Sequence, residues 1–142
     1  MTAFKTTLAL LLVVTLSACA SWTARSDRAS ELRPGETHYG QLASGLRLYR
    51  LEVERPGTLT LEAATPVTRT APGGFSGRLL DEAGAELAAD RRSGQGENFR
   101  FEEALEPGTY YLEMRNDTKC SSNACTWDNM HFKLESRLRR AE

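Results

Sequence analysis

The sequence predicts an all-β protein, an antiparallel β-sandwich of jelly-roll-like form with seven to eight strands. Three observations predict it. From residue 36 onward the apolar residues recur with period two, which places them along one face of a strand. Turn signals punctuate these runs at short intervals, at Pro34-Gly35, Pro56-Gly57, Asp81-Glu82-Ala83-Gly84 and Pro107-Gly108. No stretch of helical length carries a 3.6-residue period with caps, so helices are expected to be absent or trivial.

Each element follows from its own residues. A first strand is expected around Thr37–Leu42. "LYRLEVE" then sets Tyr49, Leu51 and Val53 on one side and Arg50, Glu52 and Glu54 on the other. After the turn at Pro56-Gly57, "TLTLEA" repeats the alternation with Leu59, Leu61 and Ala63. "GFSGRLLD" offers Phe75, Gly77 and Leu79, and a weaker strand, "AELAAD", follows its turn. "ENFRFEE" presents Phe99 and Phe101, "TYYLEMR" presents Tyr110, Leu112 and Met114, and "MHFKLESRL" presents Phe132, Leu134 and Leu138. Runs with one apolar and one charged face suit two antiparallel sheets packed face to face. Carboxylates that alternate with the apolar residues should face solvent.

The segment before this body reads differently. Lys5 precedes an apolar run from Leu8 to Leu16, far short of the roughly 20 residues a membrane-spanning helix needs. A basic start, a short apolar stretch and then small residues are the layout of a secretory signal. The run closes as Leu16-Ser17-Ala18-Cys19, which resembles the lipobox of bacterial lipoproteins. That resemblance implies a signal peptide over 1–18 and an acylated Cys19 as the first mature residue. With at least two acyl chains the protein would be anchored to a membrane without spanning it. Ala20 after the cysteine, by the same resemblance, favours the outer membrane, with the domain facing the periplasm or the surface.

The chain has three cysteines, and lipid at Cys19 leaves Cys120 and Cys125. In an oxidising compartment they are expected to form a disulfide around "SSNA". A metal site of Cys120, Cys125, Asp128 and His131 is the alternative, though the spacing fits no standard zinc pattern. From Cys19 the mature chain has 124 residues (142 less 18), enough for one domain with a core. The full sequence carries a formal charge of −1, which becomes −2 once Lys5 leaves with the signal. That balance is not that of a nucleic-acid binder.

Residues 19–35 are polar and are expected to form the lipidated N-terminus and a flexible tether, with Trp22 either at the lipid interface or in solvent. Residues 36–138 make up the sandwich. The closing 139–142 are a basic tail that should fray; Arg137, Arg139 and Arg140 either touch anionic lipid or lipopolysaccharide or, the plainer reading, are solvated. Two long loops interrupt the strands, 65–74 and 116–128, and loops on a rigid scaffold are where function tends to sit. In the second, Trp127, Asn123 and Asp128 form a candidate binding loop, because a large aromatic beside a disulfide is a ready hot spot. Trp127 packed over the disulfide as a satellite core is the plainer reading.

In order and motif the body resembles the bacterial pre-peptidase C-terminal domain. The matching residues are Tyr39–Leu42, Tyr49–Val53, Gly57–Leu61, Leu79–Gly84, Phe99–Phe101, Leu105–Met114 and His131–Leu134, of which "LEPGTYYLEM" is the specific part. The resemblance implies a β-sandwich that serves as a secretion-related or substrate-binding module. The acidic position before the second strand is here Arg47 or Leu48, and the loop before Phe75 lacks paired aspartates, which weakens a family-type calcium site.

For catalysis a nucleophile should stand beside a base. The histidines are His38 and His131, in the first and last strands, and neither a G-x-S-x-G nor an H-E-x-x-H motif occurs. Calcium at Asp81, Glu82 and Asp90 is conceivable, since hard cations favour clustered oxygens. The sequence thus points to no enzyme, no cofactor, no metal and no catalytic residue. It points to a lipid-anchored module that binds an envelope protein or a polysaccharide. An inhibitor of a lysozyme or protease acting through loop 116–128 is the second reading.

Overall fold

The computed structural model describes residues 21–65, 73–118 and 130–141. Among these it contains nine strands: β1 (Ser30–Glu31), β2 (Thr37–Gln41), β3 (Leu46–Val53), β4 (Gly57–Ala64), β5 (Phe75–Leu80), β6 (Glu86–Asp90), β7 (Arg100–Leu105), β8 (Gly108–Asn116) and β9 (His131–Arg140). One sheet has the order β1-β3-β8-β5-β6 and the other β2-β9-β4-β7. From β2 onward every connection crosses between sheets except β5 to β6, the alternation of a jelly roll. All pairings are antiparallel except that of β1, which runs parallel to β3.

The predicted inward rows are the core. Tyr49, Leu51, Leu59, Leu61, Ala63, Phe75, Leu79, Phe99, Leu112, Met114, Phe132 and Leu134 are fully buried or within a percent of it. Burying each large side chain contributes about 1.5–3 kcal/mol, and two sheets with matching apolar faces have no other way to remove them from water. Gly77 lies in the inward row because nothing larger fits: a Cβ there would stand 2.8 Å from the Phe99 ring. Phe99 in turn stacks on Phe101 at 5.5 Å.

Among the described residues, one core side chain carries an unsatisfied oxygen. Tyr49 is fully buried, and its hydroxyl has no hydrogen-bond partner. Burial pushes its pKa up, opposed by the nearby Arg47 guanidinium, which lies off hydrogen-bonding geometry. Because an unpartnered buried hydroxyl costs stability, Tyr49→Phe is expected to raise it by about 1 kcal/mol. A higher urea midpoint with an unchanged slope would show this.

Three sequence expectations are corrected. The segment 21–35 is not a free tether. Residues 21–26 are helical, and residues 21–32 cross the outer face of the β1-β3-β8-β5-β6 sheet as a strap. Trp22 is not a free linker residue but is half-buried against the sheet. Its ring meets Tyr111 edge-on at 5.2 Å, and its Nε1–H donates to the Glu82 carbonyl at 2.9 Å. Gly84 has a positive φ of 85°, and a Cβ there would lie 2.8 Å from the Trp22 ring, so the glycine both makes the β5–β6 turn and seats the indole. Trp22 and Ala29 pack on Leu48, Leu80 and Tyr111, a second small core on the outer face. β1 then pairs with Tyr49 and Arg50, and Leu32 N–H donates to the Arg50 carbonyl at 2.8 Å.

The second correction is to the carboxylates. Glu113 is only 5% exposed, because the strap covers it: Arg25 pairs with one oxygen at 2.7 Å and Arg78 with the other at 3.1 Å. Two guanidinium partners are what a buried carboxylate requires. The third is to the basic tail. β9 runs through Arg140, opposite Gly57, and Ala141 N–H donates to the Pro56 carbonyl. Residues 139–141 are therefore paired backbone, and Arg139 reaches Glu102 at 3.5 Å.

Candidate functional site

The strand registers sort the connections onto two ends of the sandwich. Leu46 pairs with Arg115, Phe75 with Asn116, Gly77 with Asp90, Gln41 with His131 and Ala64 with Lys133. The β2–β3, β4–β5, β6–β7 and β8–β9 connections therefore all leave from one end, the loop end. The short β3–β4, β5–β6 and β7–β8 turns lie at the other, the turn end. Both long loops named from sequence, 65–74 and 116–128, belong to the loop end together with residues 91–99. Segments 66–72 and 119–129 are outside the described residues, and with them Cys120, Asn123, Cys125, Trp127 and Asp128. Cys19 lies outside them too.

The described feet of these loops form one hydrogen-bonded base. Asp117 N–H donates to the Gly74 carbonyl at 2.8 Å, and Gly73 N–H donates to Glu97 Oε2 at 2.9 Å. Asn116 Nδ2 donates to the Leu42 carbonyl at 2.8 Å, and Leu42 N–H donates to the Met130 carbonyl at 2.8 Å. Asn98, fully buried, accepts from Phe75 N–H at 3.0 Å and donates through Nδ2 to the Gln95 carbonyl at 2.8 Å. Each of the four connections is thus tied to at least one neighbour. Glu97 has a positive φ of 60°, a strained backbone for a non-glycine residue, held where its side chain braces Gly73.

Asp90 fastens the β6–β7 connection. Its Oδ2 accepts from Ser93 Oγ at 2.7 Å, Arg100 N–H at 2.9 Å and Ser93 N–H at 3.1 Å. Burial alone would raise its pKa, but these donors together outweigh it and hold the carboxyl below its usual range. A depressed carboxylate pKa contributes stability that is present above the unfolded value and lost as pH falls through the folded one. Asp90→Asn is therefore expected to cost about 1–2 kcal/mol at pH 7, with the gap to wild type closing below about pH 4. Urea melts across that range measure the gap.

Beside the loop end, the part of the outer sheet face that the strap leaves open carries a cleft of about 650 Å³, lined by Arg78, Glu86, Asp90, Arg91, Arg115 and Asp117 among others. A second cleft, of about 660 Å³, lies toward the turn end between the strap and β3. Its charges are largely paired with one another, Glu31 with Arg33 and Arg50 with Glu52, as exposed pairs that contribute little.

The remaining candidates separate. Asp81 sits in the turn-end hairpin, where its Oδ1 accepts from Ala85 N–H at 2.8 Å, while Asp90 lies at the loop end of the same hairpin. Asp81, Glu82 and Asp90 therefore do not make one calcium site, and among the described residues no three His, Cys, Asp or Glu gather to hold a metal. His38 packs its ring against Tyr49 at 5.3 Å and Phe132 at 6.1 Å. His131 stands beside Gln41 across the β2–β9 pair.

Sequence reasoning missed Glu97, Asn98 and Glu113, and read Asp90 as a conceivable calcium ligand where it fastens its own turn. A signal existed for Asp90, whose "DRRS" run is the local pattern of an aspartate capping its own turn. None existed for Glu97, whose role depends on a glycine 24 residues away.

No protein-family model matches this chain, and no curated protein matches it. Solved structures do. The pre-peptidase C-terminal domain of a collagenase from Bacillus anthracis aligns at a TM-score of 0.57 with 17% identity, covering 78% of this chain and 95% of that one. The chain shares the fold of the pre-peptidase C-terminal domain. PliG of Aeromonas hydrophila, a periplasmic inhibitor of g-type lysozyme, aligns at a TM-score of 0.50 with 10% identity, covering 78% of this chain and 97% of PliG. At these identities the likeness is one of fold. The pre-peptidase C-terminal fold nonetheless sets the frame for the loops, since a rigid sandwich can hold variable connections at one end without changing its core.

Proposed function

We propose that this chain is an exported, lipid-anchored, non-catalytic binding module that presents its loop end to a protein or polysaccharide of the cell envelope. The observation that carries the reading is the convergence of four connections on one end, their feet tied into a common base. Such bracing lowers the ordering cost of binding. A Cys120–Cys125 disulfide within loop 116–128 would add to it, with Trp127, Asn123 and Asp128 as contact residues. The lipobox ending at Cys19 supplies the address.

Photo-crosslinking amino acids at Ser44 and Gln95 of the loop end, and at Glu106 of the turn end, test the reading in living cells. Discrete adducts from Ser44 or Gln95 and none from Glu106 are expected. Adducts from Glu106 alone would move the binding surface, and none from any position would remove it.

The likeness to PliG favours a second reading, inhibition of a lysozyme. Titration of a g-type lysozyme with the mature protein would show stoichiometric loss of activity, relieved by Trp127→Ala. Undiminished lysozyme activity at a large excess of the protein would end this reading and leave the first in place.

A further inference from the structure

We infer that the strap of residues 21–32 fixes how the domain stands on its membrane, with the turn end facing the bilayer and the loop end directed away from it. The inference rests on the proposed acylation of Cys19. Cys19 is three residues ahead of Trp22. Consecutive Cα atoms are 3.8 Å apart, so the two residues lie within about 11 Å of each other whatever the chain does between them. Trp22 is fastened to the β5–β6 turn through the Glu82 carbonyl, Gly84 and Tyr111. A bilayer that takes the acyl chains of Cys19 must therefore come close to that turn.

The loop feet lie at the far end of the strands. β3 alone has eight residues, which at about 3.3 Å each puts roughly 26 Å between the two ends. A free tether over 19–35 would span up to about 60 Å and let the domain tumble. The docked strap removes that freedom. It is held at three separate places: the indole on the β5–β6 turn, Arg25 on the buried Glu113 carboxylate at 2.7 Å, and β1 on β3. The indole is the contact nearest the anchor: without it the chain from Cys19 is first held at Arg25, six residues on, within about 23 Å instead of about 11 Å. The loops are thereby offered to a partner beyond the membrane surface.

The test uses the full lipidated protein in phosphatidylethanolamine–phosphatidylglycerol vesicles. An azide-bearing amino acid at Ser44 or Glu106 carries a short-range fluorescence donor, and the bilayer carries acceptor lipids. Flotation with the vesicles reports the anchor separately from the orientation. Co-flotation, with energy transfer several-fold stronger from position 106 than from 44, is expected. Arg25→Ala and Trp22→Ala should shrink that difference in turn while flotation is unchanged. Co-flotation with equal transfer from both positions, or a difference that survives Trp22→Ala, overturns the inference. Loss of flotation overturns the anchor and the inference together.

Discussion

Phe99→Ala is expected to remove about 3–5 kcal/mol of stability, a large part of the 5–15 kcal/mol typical of a whole domain. The ring is fully buried, stacked on Phe101 and pressed against Gly77. Its backbone is tied in as well: Phe99 N–H donates to the Phe75 carbonyl at 2.8 Å, and its carbonyl accepts from Ala63 N–H at 3.1 Å. Phe99 thereby links β4 and β5 across the two sheets at the foot of the loop end. The cavity left by alanine would loosen Asn98 beside it and the Phe75 amide that Asn98 holds. Urea denaturation should show a lower midpoint with little change in slope, and amide exchange should quicken at Phe75, Gly94 and Asp117. Gly77→Ala attacks the same packing from the other side, by overfilling it. A loss under about 1 kcal/mol for Phe99→Ala would mean that the inter-sheet core closes without this ring.

Trp22→Ala is expected to cost about 2–3 kcal/mol, from the apolar area of a half-buried indole, its edge-on contact with Tyr111 and its hydrogen bond to Glu82. The loss should be local as well as global. Leu48, Leu80 and Tyr111 would open to water, and Arg25 and Arg28 should become accessible to trypsin while β3, β5 and β8 stay paired. The signature is therefore rapid cleavage within residues 21–32 followed by a stable fragment. Trypsin sensitivity equal to wild type would mean that the strap holds without its tryptophan.

The body of the domain was legible because a half-buried strand writes its burial directly into the chain. Leu59-Thr60-Leu61-Glu62-Ala63 can be read as inside and outside with no knowledge of its neighbours, and β4 follows that reading residue by residue. The strap was not legible, because its contacts are long-range and its own residues are mostly polar. Yet the surface it covers left a trace. Leu48, Leu80 and Tyr111 fall on the outward phase of β3, β5 and β8 and are apolar, which calls for a cover. Trp22 and Ala29 supply that cover. Glu113 is the converse case: its alternation marks it as outward, and only the arrival of Arg25 from 88 residues away makes the position buried. The continuation of β9 to Arg140 was hidden for a similar reason, since arginines on an outer face look the same in a strand as in a tail. At the loop end the two long loops were visible as interruptions of the period. Their meeting at one end follows from strand order, which no local pattern encodes.

The proposed anchor at Cys19 would set both where the proposed binding surface stands and which way it faces, and intact mass of the protein extracted from membranes tests it most directly. The expected product is a chain that begins at Cys19 and carries the added mass of its acyl chains, with a further gain of about 2 Da on reduction as Cys120 and Cys125 take up one hydrogen each. An unacylated product, whether it keeps residues 1–18 or is cut elsewhere, would contradict it.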